Sequence, residues 1–413
     1  MSNGWTGGQY SVVRAIFGAY LFVHLLQLIP WGAEVFSRAG ILPDAWSSPL
    51  TRLFPNVLAV WDSPAAVTTL LVVGAGLSVL LAVGWWDRAA AIGLWYVWAC
   101  LFGRNPLIGN PGLPFVGWLL LAHACLPPAP YGSVTALGRV DPAGGWRMPQ
   151  AIFGAAWVVM AAGYSYSGFT KLVSPSWIEG TAVRYVLENP LARPGPLRDA
   201  LLALPDWALT LNTWGALGLE LSFAPLALVA RLRPWLWLAL LGMHLGLIAL
   251  IDFADLSLAM VMLHLFTLDP GWIRRRSAPA PERLFYDGSC GLCHRAVRFV
   301  LAEDRTGTAL RVAPLGGEAF GREVPAGTRA GLPDSLLVVR ADGTRLVRSA
   351  AVLHVAERMG GLWRALALAL RAVPAPLRDL GYDGVARLRV RLFARPADVC
   401  PMLPPDLRAR FDA

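Results

Sequence analysis

The chain has 413 residues, more than one typical domain, and 56% of them are hydrophobic. Its net charge of +9 is unevenly placed: Met1–Pro270 carries 13 basic and 13 acidic side chains, and Gly271–Ala413 carries 23 basic against 14 acidic. No recognition motif accompanies that basic excess, so no nucleic-acid partner is expected, and five cysteines with one C-x-x-C pair do not make a disulfide scaffold.

From the N-terminus, eight apolar segments follow one another, near 11–30, 65–86, 89–104, 112–127, 150–169, 213–231, 235–252 and 255–269. A bilayer core takes about 20 apolar residues per helix, so these read as membrane spans, with the third, fourth and eighth short. Trp31, Trp85, Trp86, Trp235, Trp237 and Trp272 stand at segment ends, where interfacial anchors belong. With Arg274, Arg275 and Arg276 in the cytoplasm, counting back puts Arg231, Arg233, Arg139, Arg147 and Arg88 on the same side. The acidic loop Asp252–Asp255 then falls outside. The expected topology is multi-pass in a bacterial-type inner (plasma) membrane, with both termini and the tail cytoplasmic.

Within the apolar part, His24, His123, Glu220, His244 and His264 are ionisable groups at membrane depth, where such groups are costly. One reading makes each a helix–helix hydrogen bond; the other groups Glu220 and His244 with Lys171, the one lysine of the chain, into a site. Lys171 ends an apolar segment and is followed by Trp177 and Gly180. A partly desolvated amine there reads either as a base or as a side chain snorkelling to an interface. The stretch Lys171–Gly180, then Leu219–Ser222, His244, Phe266 and Pro270, resembles the vitamin K-dependent carboxylase-like membrane domain, called HTTM, over about residues 10–275. The resemblance implies that Lys171 acts as the base of reduced-quinone chemistry, with His244 as helper. It also implies a vitamin K-like quinone as ligand, no other cofactor being called for. A redox tail stands where a carboxylase carries a large extracytoplasmic domain, so the expectation is a quinone-like ligand rather than glutamate carboxylation.

A linker at 276–282 leads into residues 283–413. Arg283–Tyr286 reads as a strand, Asp287-Gly288 as a turn, and Cys290 and Cys293 open a helix over His294–Glu303. At a helix N-terminus, free N–H groups and the helix dipole favour thiolate over thiol. The two-residue spacer lets the second sulfur attack a mixed disulfide formed on the first. Cys290 is the expected attacking thiol, Cys293 the resolving one, and Asp287 either takes the proton or only closes the turn. Further strands are expected at Ala309–Ala313 and Leu336–Arg340, with a hairpin turn at Asp342-Gly343 and helices near 349–359 and 361–372. Pro333, before the third strand, is the candidate cis-proline facing the thiols. C-x-x-C-H also fits haem attachment, and Cys400 with His294 or His354 could complete a zinc site. The cytoplasmic placement and the irregular spacing argue against both, so no metal is expected.

Tyr286–Cys293 (YDGSCGLC), Asp334-Ser335, Asp342-Gly343, Ser349-Ala350, Tyr382–Arg387, Cys400 and Leu403-Pro404 resemble the DCC family of thiol–disulfide oxidoreductases. That resemblance implies a thioredoxin-like fold and a redox-active pair. The architecture expected is therefore a polytopic α-helical membrane bundle of about eight spans over 1–275, followed by a small α/β thioredoxin-like domain over 283–413. The expected function is a membrane-bound protein-disulfide reductase acting on a thiol or disulfide substrate, protein or small molecule. The alternatives are a transporter or anchor with a thiol sensor, and a carboxylase- or epoxidase-like enzyme using the tail as electron donor.

Overall fold

The computed structural model describes residues 3–253, 255–333, 335–392 and 404–412, and of 389–392 the backbone alone. The chain is mostly helical with one small mixed sheet near its C-terminus. It divides into two compact units. The first comprises Ala15–Leu126 and Pro149–Leu268; the second comprises Ser2–Arg14, Pro127–Met148 and Asp269–Ala413.

The principal helices before the sheet are α1 (Gly7–Leu28), α2 (Pro64–Val83), α3 (Asp87–Arg104), α4 (Leu113–Ala124), α5 (Gln150–Lys171), α6 (Asp206–Ala227), α7 (Arg233–Leu250) and α8 (Asp255–Thr267). They lie where the apolar segments predict helices, but the expected count of eight spans is not reproduced. Three stretches are long and apolar enough to cross a membrane by length and composition: Gly7–Phe36, Pro64–Val83 and Arg233–Leu250. The shortfall has physical causes. Helix α4 has 12 residues and α8 has 13, so at about 1.5 Å per residue neither approaches a core of about 30 Å. Helix α3 holds Asp87, Arg88 and Arg104, and α5 and α6 are diluted by Ser, Thr, Tyr and Asn. Helices α5 and α6 pack closely because Gly168 lets the Glu220–Leu221 backbone approach; a Cβ there would stand 2.7 Å from the Leu221 nitrogen.

The second unit is built on β1 (Glu282–Tyr286), α9 (Gly291–Glu303), β2 (Leu310–Pro314), β3 (Leu337–Val339) and β4 (Arg345–Val347). The strand order is β2-β1-β3-β4. β1 pairs parallel with β2, and β3 pairs antiparallel with both β1 and β4. The β1–α9–β2 crossover uses a helix because parallel neighbours cannot be joined by a hairpin. β3 and β4 meet through a tight turn in which Gly343, at φ +80°, takes the conformation glycine adopts without penalty. Leu284, Tyr286, Leu310, Val312 and Val338 bury one face of the sheet against Val297, Val300 and Leu301 of α9; Phe285, Ala313 and Leu337 cover the other with Ala319 and Val324. Helices α10 (Arg348–Met359), α11 (Gly361–Leu370) and α12 (Ala375–Leu392) complete the unit.

The N-terminal residues and 127–148, expected with the helical part, group with the sheet, and the buried Glu303 is the reason. Its carboxylate accepts from the Thr6 hydroxyl, from the Gly8 N–H at 2.9 Å and from the Trp363 indole N–H at 2.5 Å. Arg305 adds bonds to the Trp5 and Trp146 carbonyls.

Candidate functional site: a thiol pair at a helix start

Strand β1 ends at Tyr286 and the chain turns at once. Asp287 accepts from the Ser289 N–H at 2.8 Å and from its hydroxyl at 2.7 Å through Oδ1, while its carbonyl accepts from the Cys290 N–H at 3.2 Å. This is an Asx turn, which Asp287 closes immediately before the thiol pair. Cys290 is then the N-cap of α9, and its Sγ accepts from the Cys293 N–H at 3.4 Å. An N–H aimed at sulfur is a contact that strengthens when the sulfur carries negative charge. Neither cysteine is in a disulfide. Cys290 is 8% exposed and Cys293 5%, so both thiols are buried.

His294, weighed in the sequence only as a haem or zinc ligand, has a different place. Its Nε2 lies 2.9 Å from the Gly288 carbonyl, which can only accept, so Nε2 carries the proton. Its ring meets Tyr286 edge to face at 5.7 Å. The histidine thus ties the first turn of the helix back to the loop that presents Cys290, a role whose signal was its position directly after the second cysteine. Among the described residues no group of three or more His, Cys, Asp or Glu could hold a metal. Cys400 lies outside the described residues, as does Asp334.

Pro333 corrects an expectation. Among the described residues no peptide bond is cis, and β3 begins only at Leu337, so Pro333 sits four residues ahead of any ladder pairing. Ser335, next to the same segment, accepts from the Arg348 N–H at 3.4 Å, and Tyr382 accepts from the Leu336 N–H at 3.0 Å. Ser349 is bonded to Asp379 through its N–H at 3.2 Å. Several positions of the sequence pattern therefore fasten α10 and α12 to the third strand.

A second network, absent from the sequence reading, lies behind β1. Glu282 is paired with His354 at 2.6 Å and with Arg358 at 3.0 Å, all three buried. Burial lowers the His354 pKa, against the opposing pull of Glu282. Burial likewise raises the Glu303 carboxyl above its ordinary range, partly offset by its hydrogen bonds from Thr6, Trp363 and Gly8.

In the helical unit, Lys171, Glu220 and Trp177 do come together. The ammonium lies 2.5 Å from Glu220 Oε2, 2.7 Å from Ser167 Oγ and 4.9 Å from the Trp177 ring centre. His244 joins a separate chain: Nε2 is 2.8 Å from the Tyr164 hydroxyl and Nδ1 is 3.2 Å from Ser257 Oγ, with His264 3.4 Å from the same Tyr164 hydroxyl. His24 is bound to Asp255 at 3.0 Å. Cys100 is buried, whereas Cys125 is exposed.

Residues 284–395 match the family described as DCC1-like thiol-disulfide oxidoreductase. The chain is 32% identical over 140 residues to the uncharacterized protein YuxK of Bacillus subtilis, covering 97% of that protein and 33% of this chain. It is 29% identical over 135 residues to a chloroplastic DCC family protein of Arabidopsis thaliana, covering 77% of that protein and 32% of this chain. No solved structure matches the chain. Through residues 284–395, which hold the thiol pair, the chain belongs to the DCC1-like thiol-disulfide oxidoreductase family.

Proposed function

We propose that the protein is a membrane-bound thiol–disulfide oxidoreductase that reduces disulfides in protein substrates on the cytoplasmic side. The observation that carries the redox part is the Cys290 Sγ at the N-cap of α9, receiving the Cys293 N–H. The β-α-β unit followed by an antiparallel hairpin supports a thioredoxin-like module for this work. The Cys290 thiolate attacks a substrate disulfide; one S–S bond breaks, a mixed disulfide forms and one substrate thiolate leaves. Cys293 then attacks Cys290 Sγ, so the Cys290–Cys293 bond forms and the second substrate thiol departs. Two electrons pass from the dithiol to the substrate, and two protons follow them.

The membrane part rests on three long apolar helices whose side chains are largely uncovered, together with the run of shorter apolar helices. The positive-inside rule supports both termini in the cytoplasm, which takes an even number of crossings. The HTTM resemblance makes Lys171 the base of reduced-quinone chemistry, which would place a quinone beside its amine. An ammonium has three N–H donors; Ser167 and Glu220 take two, one is left for a quinone oxygen, and the Trp177 ring offers a flat apolar wall. In its reduced, quinol form such a ligand would supply the two electrons and two protons that the oxidised thiol pair needs in order to be reduced again, becoming a quinone. Glu220 holds the ammonium in place and can receive a proton from it.

The test is disulfide turnover by the purified full-length protein on a model protein disulfide, with a quinol as reductant. The proposal expects turnover that Cys290→Ser abolishes, and loss of the quinol-driven reaction alone in Lys171→Ala. Turnover with glutathione but none with a quinol removes the coupling and keeps the reductase. No disulfide turnover with either donor removes the enzyme reading.

A further inference from the structure

Helix α12 is mounted the wrong way round for a helix on a water-facing surface. Its polar face is held by the fold: the Tyr382 hydroxyl accepts from Leu336, Asp379 accepts from Ser349, and Asp383 pairs with Arg348 at 3.4 Å. The apolar face looks outward. Leu377, Leu380 and Leu388 share one side of a 3.6-residue helix and are 60%, 65% and 49% exposed. Leu366 and Leu370 on α11 are exposed as well, and Ala372–Pro376 between the helices is exposed throughout. An ordinary surface helix turns its apolar stripe to the core.

Charge selects the occupant. Residues 361–388 contain four Arg and two Asp; Arg371 pairs with Glu357, and both Asp are engaged by Ser349 and Arg348. Arg387 is exposed on the shoulder of the apolar stripe. The outward surface is thus aliphatic with a cationic rim and no outward carboxylate among its described residues. Protein interfaces concentrate aromatic residues and Met in their centres; this patch is built of Leu and Ala. Neither helix spans a bilayer: α11 has 10 residues, about 15 Å of helix, and α12 carries charges along its length. An apolar face beside arginines on a helix that does not span is the pattern of an element lying in the headgroup region of an anionic bilayer.

We propose that α11 and α12 dock the redox unit onto the surface of an anionic membrane, with the leucines among the upper acyl chains and the arginines at lipid phosphates. The inference rests on the membrane reading above, since the apolar helices keep the unit beside a bilayer.

The full-length protein in nanodiscs, with and without phosphatidylglycerol, tests it by hydrogen exchange over 361–388. Alkaline extraction of membranes, run beside it, tests the spanning helices separately. Expected is slower exchange of α11 and α12 in anionic discs than in zwitterionic ones, reversed by high salt. Leu377→Ser with Leu380→Ser should abolish the protection, and Arg387→Gln should weaken docking about fivefold, the worth of one basic residue at a lipid surface. These side chains point outward, so the variants should keep wild-type thiol turnover in solution. Exchange that is equal in both lipids overturns the proposal, even where extraction upholds the spans. Protection that appears in detergent and grows with protein concentration also overturns it, in favour of a second copy as the partner.

Discussion

The two units put the same kinds of side chain to opposite uses. In the redox unit Val297, Val300 and Leu301 close onto the sheet, and Val300 is 1% exposed. In the helical unit Val72, Val73, Leu238 and Trp235 face outward, Trp235 at 70%. A water-soluble domain gains stability by removing apolar area from water, at about 25 cal/mol per Å². Helices α2 and α7 are long and apolar enough to cross a membrane and leave much of this area uncovered. Burial therefore separates the two units even though both are rich in the same aliphatic side chains.

The largest effect expected from breaking this contrast lies at the sulfurs. Cys290→Ser should lower disulfide turnover by about 10³-fold or more, since the nucleophile is removed, while membrane association stays unchanged. Next comes the buried network behind β1. Glu282→Ala leaves Arg358 and His354 without their carboxylate and should destabilise the redox unit by about 3–5 kcal/mol in denaturant titration. The helical unit should be unaffected, so the two unfolding transitions should move apart.

A smaller effect sits at Glu303. Burial raises its folded pKa above the ordinary 4.5, so the folded state binds this proton more readily than the unfolded state. Its favourable contribution is present below that ordinary value and is lost as pH rises through the raised one. Melting curves of the wild type and Glu303→Gln across this range should show the wild type losing ground as pH rises. The smallest effect belongs to the C-terminal residues. Asp412 bonds to Arg311 at 2.9 Å and pairs with Arg283 at 2.7 Å, and Phe411 bridges to Val312 on β2. The Arg311 hydrogen bonds hold its carboxyl below its ordinary range, so this stability is present above that range and is lost as pH falls through the lowered value. Asp412→Asn should loosen the segment by at most about 1 kcal/mol, given the partial exposure, read as faster proteolysis of the terminus.

What the sequence disclosed followed from local rules. A strand, a turn and a C-x-x-C at a helix start are all encoded within about ten residues, and their positions agree with the structure. The hairpin at Asp342-Gly343 was equally local. The Lys171–Glu220 contact was anticipated by composition, a lone lysine and an acid at membrane depth, although 49 residues separate them. The Glu282–His354–Arg358 network and the anchoring of Thr6 and Gly8 by Glu303 were not anticipated, because nothing in a local pattern pairs side chains so distant in sequence. The expected span count goes beyond the three stretches that length and composition allow, because apolar composition marks a helix readily while its length and capping are set by tertiary packing. Pro333 was misjudged as cis because a proline before a strand does not fix the isomer of its peptide bond.

The most direct test of the central claim, that Cys290 attacks and Cys293 resolves, is mass spectrometry of the full-length protein after exposure to glutathione disulfide. The wild type should accumulate an internal Cys290–Cys293 disulfide, and Cys293→Ser should stall with one glutathione on Cys290. An adduct on Cys293 in the Cys290→Ser variant at the wild-type rate, or no internal disulfide in the wild type, would contradict the assignment.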